Sequence, residues 1–206
     1  MKGRNFLQAC RRSRHRTPRN GEQGVALIEF ALILPLLALL AFVVIDFGRL
    51  FHARLIVTNV SREGGSIASR GFKSGDQLLN MLQASAEPLD LHGEGRILIT
   101  RVRAGTGIPE DLRVPRIASV SSRGSLNASS SIHENRLNMG FTETIYTYLL
   151  FNETHNTSII SEVVVVEVFF HFRPVTPLPN FLRENLFPDD GGMIIGSRSV
   201  LQFVQI

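Results

Sequence analysis

Hydrophobic residues are distributed unevenly along the chain, and the longest apolar segment lies near the N-terminus. From Val25 to Ile45 every residue is apolar except Glu29. Because a helix rises about 1.5 Å per residue, these roughly 21 residues would span about 31 Å, the thickness of a bilayer's hydrocarbon core. A helix packed on one side of a soluble domain would show a polar face. The segment is therefore predicted to be a transmembrane helix.

The helical pattern continues beyond this apolar run, now with polar positions between the apolar ones. Apolar residues recur at spacings typical of one helix face, at Phe47, Leu50, Phe51, Ile56, Val57 and Val60. Residues 46–70 are therefore predicted to extend the membrane helix as a stem. Gly64-Gly65 weakens helix propensity and predicts an end or a hinge in this stem.

Residues 71–206 carry shorter patterns, which predict a separate α+β domain. Alternating or β-branched segments predict strands at 96–103, 116–122, 159–173 and 193–206. Helical segments are predicted at 77–86 and 180–187, and 142–151 fits either a helix or a strand, with helix favoured. The Ser- and Asn-rich segment 123–138 predicts a surface loop. The fold class is thus α+β, a long N-terminal transmembrane and stem helix followed by a small antiparallel-sheet extracytoplasmic domain packed on the stem.

The charge distribution indicates how the chain is oriented in a membrane. Residues 1–23 contain seven basic residues and one acidic residue, a net charge of +6, so the rest of the chain carries about −2 of the total of +4. A basic segment beside the first membrane helix places the N-terminus in the cytoplasm. The high pI therefore reflects topology, and no aromatic interleaving supports a nucleic-acid partner.

Gly24 and Glu29 are unusual features at the start of the apolar run. Placing a carboxylate inside the membrane costs about 2.5–3.5 kcal/mol of insertion free energy, so acidic residues in membrane helices usually have a function. Glycine has no side chain to obstruct a protease. If the chain were cut after Gly24, the new α-amino group on Val25 would share a helix face with Glu29, at positions i and i+4. The two charges could neutralise each other within one chain or between neighbours.

This arrangement resembles the type IV prepilin processing site, where a membrane peptidase cuts after a glycine and a glutamate is the fifth residue of the mature chain. Further landmarks are similar to the EFAL…LP, DFGR…AR and REGA segments of TadE-like pseudopilins, with glycine here for the last alanine. The resemblance covers residues 23–70. The motif residues are Gly24, Val25, Glu29, Phe30, Asp46, Phe47, Gly48, Arg49, Arg62, Glu63 and Gly64.

The resemblance implies a minor pseudopilin of a bacterial tight-adherence (Flp-type) pilus assembly apparatus, anchored in the inner membrane. The implied domains are a cleaved leader 1–24, a transmembrane helix 25–45, a stem 46–70 and an outer domain 71–206. The implied partners are the lipid bilayer, a prepilin peptidase, other pseudopilin subunits and the secretion apparatus. Many TadE-like proteins carry a disulfide in the outer domain, whereas the one cysteine of this chain, Cys10, lies in the leader.

Pro35 removes one backbone hydrogen bond and predicts a kink in the helix, although proline is also common in membrane helices without a special role. No metal-binding or catalytic spacing is found among the scattered histidines, and Asp189-Asp190-Gly191-Gly192 reads as a turn rather than a calcium site. We therefore expect no cofactor, no metal and no enzymatic activity. The alternative is an uncleaved single-pass protein whose outer domain binds an envelope ligand or partner. A membrane-tethered enzyme would need a converging polar cluster that the sequence does not show.

Overall fold

The computed structural model describes residues 20–71, 75–107, 113–153, 157–189 and 191–203. The chain divides into two compact units, Met1–Ala41 and Phe42–Ile206. The basic leader up to residue 19, including Cys10, lies outside the described residues. The predicted domain boundaries at 24, 45 and 70 stay predictions.

The first helix, α1, is formed by Asn20–Ser69. Its segment Gly24–Ser69 is, among the described residues, the one helix long and apolar enough to cross a membrane by length and composition. Pro35 lies inside the helix, and the kink that it predicts stays a prediction. Of the two alternatives predicted at Gly64-Gly65, the helix end is wrong, because α1 continues to Ser69, and the hinge stays a prediction. Both glycines pack against neighbouring side chains, and this tertiary packing compensates for their low helix propensity.

A four-stranded antiparallel sheet forms the centre of the second unit, with the strand order β2-β1-β3-β4. The strands are β1 Gly95–Arg103, β2 Arg116–Arg123, β3 Glu162–Phe172 and β4 Met193–Gln202. Each coincides with a predicted strand to within a few residues, and β3 pairs with β4 as the sequence predicted. The α+β fold class is confirmed.

Among the described residues of the second unit, three short helices and one 3₁₀ turn accompany the sheet. They are α2 Gly75–Ser85, the 3₁₀ turn Leu137–Gly140, α3 Glu143–Leu149 and α4 Asn180–Leu186. The predicted helices at 77–86, 142–151 and 180–187 correspond to α2, α3 and α4. Asp189 and Gly192, which flank the predicted turn, exchange backbone hydrogen bonds, and Asp190 lies outside the described residues.

Each face of the sheet is covered by a different hydrophobic cluster, because side chains alternate along a strand. On β3, Val164, Val166 and Val168 contribute to the cluster that includes α1 and α2. Val163 and Val165 contribute to the opposite cluster, with Ile132, Met139 and Leu149 from the segment that follows β2. The stem part of α1 is therefore one layer of the domain core.

Candidate functional site

The residues of the predicted cleavage site lie on the surface of α1 in the first unit. A Cβ atom placed at Gly24 would have no heavy atom within 4 Å. Val25 and Phe30 are both 58% exposed, and the Glu29 side chain is also exposed. Because α1 is helical across this segment, Val25 and Glu29 are one helical turn apart, as the i, i+4 argument requires.

Asp46 begins the second group of motif residues, and the structure gives it a role that the sequence did not indicate. Its side chain is fully buried. The carboxylate accepts hydrogen bonds from the backbone N–H of Val175, 3.0 Å from Oδ1, and from the hydroxyl of Thr176. The Arg49 guanidinium lies 3.9 Å away on the same face of α1. Asp46 therefore ties the stem to the loop that follows β3.

The neighbours of Asp46 in the motif have different environments. Phe47 packs against the core and its ring centroid lies 6.5 Å from that of Phe51. Arg49 lies over the ring of Phe172, 5.8 Å from its centroid, which is within range of a cation–π interaction. Gly48 is exposed, and a Cβ atom added there would meet no atom within 4 Å. None of the described residues therefore requires glycine at position 48.

Gly64 and Gly65, at the end of the last motif, allow α1 to approach α2 and the sheet closely. A Cβ atom at Gly64 would lie 2.6 Å from Leu82 Cδ1 and 3.1 Å from Val166 Cγ1. A Cβ atom at Gly65 would lie 2.4 Å from Leu201 Cδ1. The preceding motif residues, Arg62 and Glu63, are exposed on the other side of the helix.

Ser61 adds a polar contact at the same crossing. Its hydroxyl is buried and donates a hydrogen bond to the carbonyl oxygen of Val166, over 3.2 Å. The segment from Ser61 to Gly65 thus consists of small residues on the sheet side and charged residues on the outer side. This segment of α1 therefore packs closely against α2 and the sheet.

A buried carboxylate on β3, Glu167, was not predicted from the sequence. It accepts hydrogen bonds from the hydroxyls of Ser130 and Ser131 and from the backbone N–H of Ser131, 3.1 Å from Oε1. Its cross-strand neighbour on β4 is Arg198, whose guanidinium donates to Ser131 Oγ over 3.1 Å and to the carbonyl oxygen of Gly140 over 2.9 Å. The network holds the Ser- and Asn-rich loop against the sheet.

Within this network, burial and a neighbouring charge have opposite effects on the pKa of Arg198. Desolvation by burial lowers the pKa of Arg198, and the negative charge of Glu167 opposes that shift. An arginine with a lowered pKa still remains protonated at physiological pH. Glu167 and Arg198 therefore hold the loop on the sheet through their hydrogen bonds to it. The one sign of this pair in the sequence was an isolated Glu within a run of valines.

A metal-binding cluster is not seen in the part of the chain that the structure describes. No group of three or more His, Cys, Asp or Glu side chains among those residues could hold a metal ion. The described motif residues divide into those exposed on α1, which are 24–30, Gly48, Arg62 and Glu63, and those that contact the second unit's core or loops, which are Asp46, Phe47, Arg49 and Gly64.

An apolar N-terminal helix that could be a membrane anchor, followed by a small antiparallel-sheet domain, defines the class of protein. The TadE-like protein family model matches residues 24–66. The match begins at Gly24 and includes every motif residue named above, so the resemblance is confirmed over this segment. No curated protein and no solved structure matches the chain. The family match and the apolar helix together fit a membrane protein associated with a Tad pilus.

Proposed function

We propose that this chain is a minor pseudopilin of a bacterial tight-adherence pilus assembly apparatus, processed by a prepilin peptidase after Gly24. The observation that carries the proposal is the start of the family match at Gly24, five residues before the one acidic residue of the apolar run. In this proposal the chain is a substrate of the peptidase and a structural subunit. It is not itself an enzyme.

The exposed helix surface at the cleavage site supports this proposal. Gly24 has open space around it, so a peptidase could approach the scissile bond from the side of the helix. Cleavage would create an ammonium group on Val25, and Glu29 lies one turn further along the same face. The Glu29 carboxylate would pair with that ammonium in its own chain or in a neighbouring subunit, which lowers the cost of placing either charge in the bilayer.

The proposed location follows from the same elements. The apolar helix anchors the protein in the inner membrane as a single span, and the basic leader keeps the N-terminus in the cytoplasm. The second unit then lies outside the cytoplasm, where it meets other pseudopilin subunits and the secretion apparatus. No nucleic acid is among the proposed partners.

N-terminal sequencing and intact mass of the protein recovered from its native membrane test the proposal. A chain that begins at Val25 supports prepilin processing. Gly24→Leu should leave residues 1–24 attached, because a bulky side chain would obstruct the peptidase. Gly48→Leu is the matched control, since Gly48 also lies on α1 with no atom near an added Cβ, and its processing should be normal. A wild-type chain that begins at Met1 would reject cleavage and favour an uncleaved single-pass protein whose outer domain binds an envelope ligand.

A further inference from the structure

A cleft of about 690 Å³ opens on the second unit beside the first turns of its helix. One wall is the exposed face of α1 around Gly48 and His52. The opposite wall is formed by the turn before β1 and by the loop that follows β3. Phe170 and Phe172 at the end of β3 supply apolar surface inside it.

Both signs of charge line this cleft. Arg49 and Arg173 are the cationic residues, and Asp90 and Glu94 are the anionic ones. The closest ion pair between the two sets joins Arg173 Nη1 to Glu94 Oε1 at 4.0 Å, and these side chains are 54% and 43% exposed. Arg49 has its own ion pair, with Asp46 at 3.9 Å, and is also about half exposed. Half-exposed ion pairs at these distances contribute little, so the guanidinium and carboxylate groups remain able to bind a ligand.

Asp90 is exposed, and the hydrogen bonds to its carboxylate involve one of the two oxygens. Its Oδ1 accepts hydrogen bonds from the backbone N–H groups of His92, at 3.0 Å, and Gly93, at 2.9 Å. This turn fixes the orientation of the carboxylate, and Oδ2 remains an available acceptor.

Gly48 keeps the helix wall of the cleft open. Glycine inside a helix is less stable than alanine, and none of the described residues would collide with a side chain at this position. The space above its backbone is therefore available to a group from outside the chain.

The position of the cleft along α1 relates it to the membrane. Val44 and Ile45, the last two residues of the apolar run, form part of its wall and are 62% and 52% exposed. Arg49 and His52 follow within two helical turns. A cleft that begins where the apolar run ends and contains both charges matches the boundary between acyl chains and headgroups.

We propose that this cleft binds the headgroup of a zwitterionic phospholipid that carries a primary ammonium, as in phosphatidylethanolamine. Arg49 and Arg173 bind the phosphate, for which guanidinium groups are well suited. Asp90 and Glu94 accept hydrogen bonds from the ammonium. The acyl chains run along Val44 and Ile45. This inference rests on the membrane anchoring in the proposed function and is independent of cleavage after Gly24.

Native mass spectrometry of the full-length protein, extracted from membranes in detergent, tests the proposal by measuring retained lipid. Phosphatidylethanolamine, phosphatidylcholine and phosphatidylglycerol are supplied separately at equal concentrations. We expect about tenfold greater retention of phosphatidylethanolamine than of phosphatidylcholine, whose quaternary ammonium has no N–H to donate to the carboxylates. Equal retention of the two, or preferred retention of phosphatidylglycerol, would overturn the proposal.

Variants separate a specific cleft from general adhesion of lipid. Arg173→Gln and Gly48→Leu should reduce retention of phosphatidylethanolamine to the phosphatidylcholine level. The controls are Asn59→Leu, exposed on α1, and Arg70→Gln, exposed just beyond its end. Both positions lie outside the cleft, and both variants should retain the lipid normally. The double variant Asp90→Asn with Glu94→Gln should lose discrimination between the two lipids. If both cleft variants retain the lipid as wild type does, the site is elsewhere. If the protein does not partition into membranes, the anchoring in the proposed function fails as well, and the two failures are thereby distinguished.

Discussion

The backbone N–H of Val175 donates a hydrogen bond to the buried carboxylate of Asp46, with 3.0 Å between the nitrogen and Oδ1. The two residues are 129 positions apart in the sequence, and Thr176 binds the other carboxylate oxygen. The contact joins the stem helix to the loop that connects β3 with α4. One residue of the DFGR motif therefore holds the outer domain on the helix that precedes it.

Asp46→Ala should lower the free energy of unfolding of the second unit by about 2–4 kcal/mol, because the Val175 N–H and the Thr176 hydroxyl lose their acceptor in a buried place. Thermal unfolding of the full-length protein in detergent would measure this as a drop of roughly 2–4 °C per kcal/mol. Thr176→Val, which removes one hydrogen bond, should cost about 1 kcal/mol.

Arg49→Gln is the control for Asp46→Ala. The Arg49 guanidinium is half exposed and 3.9 Å from the carboxylate, so its ion pair with Asp46 should contribute less than about 1 kcal/mol. If Asp46→Ala and Arg49→Gln shift the unfolding temperature equally, the hydrogen bonds to the loop after β3 are not the main role of Asp46.

Gly64→Ala and Gly48→Ala should change stability in opposite directions. Both substitutions gain about 0.5–1 kcal/mol of helix propensity. At Gly64 the added methyl would lie 2.6 Å from the buried Leu82, and overpacking of this kind costs about 1–3 kcal/mol. At Gly48 no atom lies within 4 Å, so the gain in propensity is unopposed.

Chemical or thermal unfolding of the two glycine variants in the same detergent measures these changes in stability. We expect Gly64→Ala to be less stable than wild type and Gly48→Ala to be more stable. Stabilisation of both would show that Leu82 moves aside easily and that close packing does not explain glycine at position 64.

The helices and strands of this fold could be predicted from the sequence because each has a strong local pattern of apolar and polar residues. The apolar run and the β-branched segment of β3 predicted a long helix and a strand, and both elements are observed; that the helix crosses a membrane stays a prediction. The end predicted at Gly64-Gly65 was wrong because local propensity does not reveal that Leu82 and Val166 lie against the helix. Tertiary packing overrode the glycines.

The polar anchors of the domain could not be predicted from the sequence. Asp46 and Glu167 are each bound by residues distant along the chain, and a single sequence does not show which segments meet. The Ser- and Asn-rich loop had the composition of a solvated surface segment. Instead, its backbone N–H and hydroxyl groups donate hydrogen bonds to the buried carboxylate of Glu167. Amino-acid composition does not reveal such contacts.

Glu167→Ala should release this loop from the sheet. The Ser131 N–H and two serine hydroxyls would lose their acceptor, and Arg198 would lose its neighbouring negative charge, at a total cost of about 2–4 kcal/mol. Hydrogen exchange of the backbone amides in 125–138 should become faster, whereas Glu162→Gln, a partly exposed residue on the same strand, should leave it unchanged. Unchanged exchange in Glu167→Ala would mean that the apolar contacts of Ile132 and Met139 hold the loop.

Glu29→Ala tests the charge in the apolar run without altering the outer domain. Removing the carboxylate removes an insertion cost of about 2.5–3.5 kcal/mol, so the variant should enter the membrane at least as well as wild type. The ammonium of Val25 would then lack its partner, and we expect pilus output to fall although the protein accumulates normally. Quantification of pili together with the membrane-bound protein measures both effects. Ile28→Ala, the adjacent exposed position, should assemble normally. Normal pilus output from Glu29→Ala would remove the proposed role of Glu29 in assembly, and it would leave the cleavage after Gly24 to be judged on the N-terminal sequence alone.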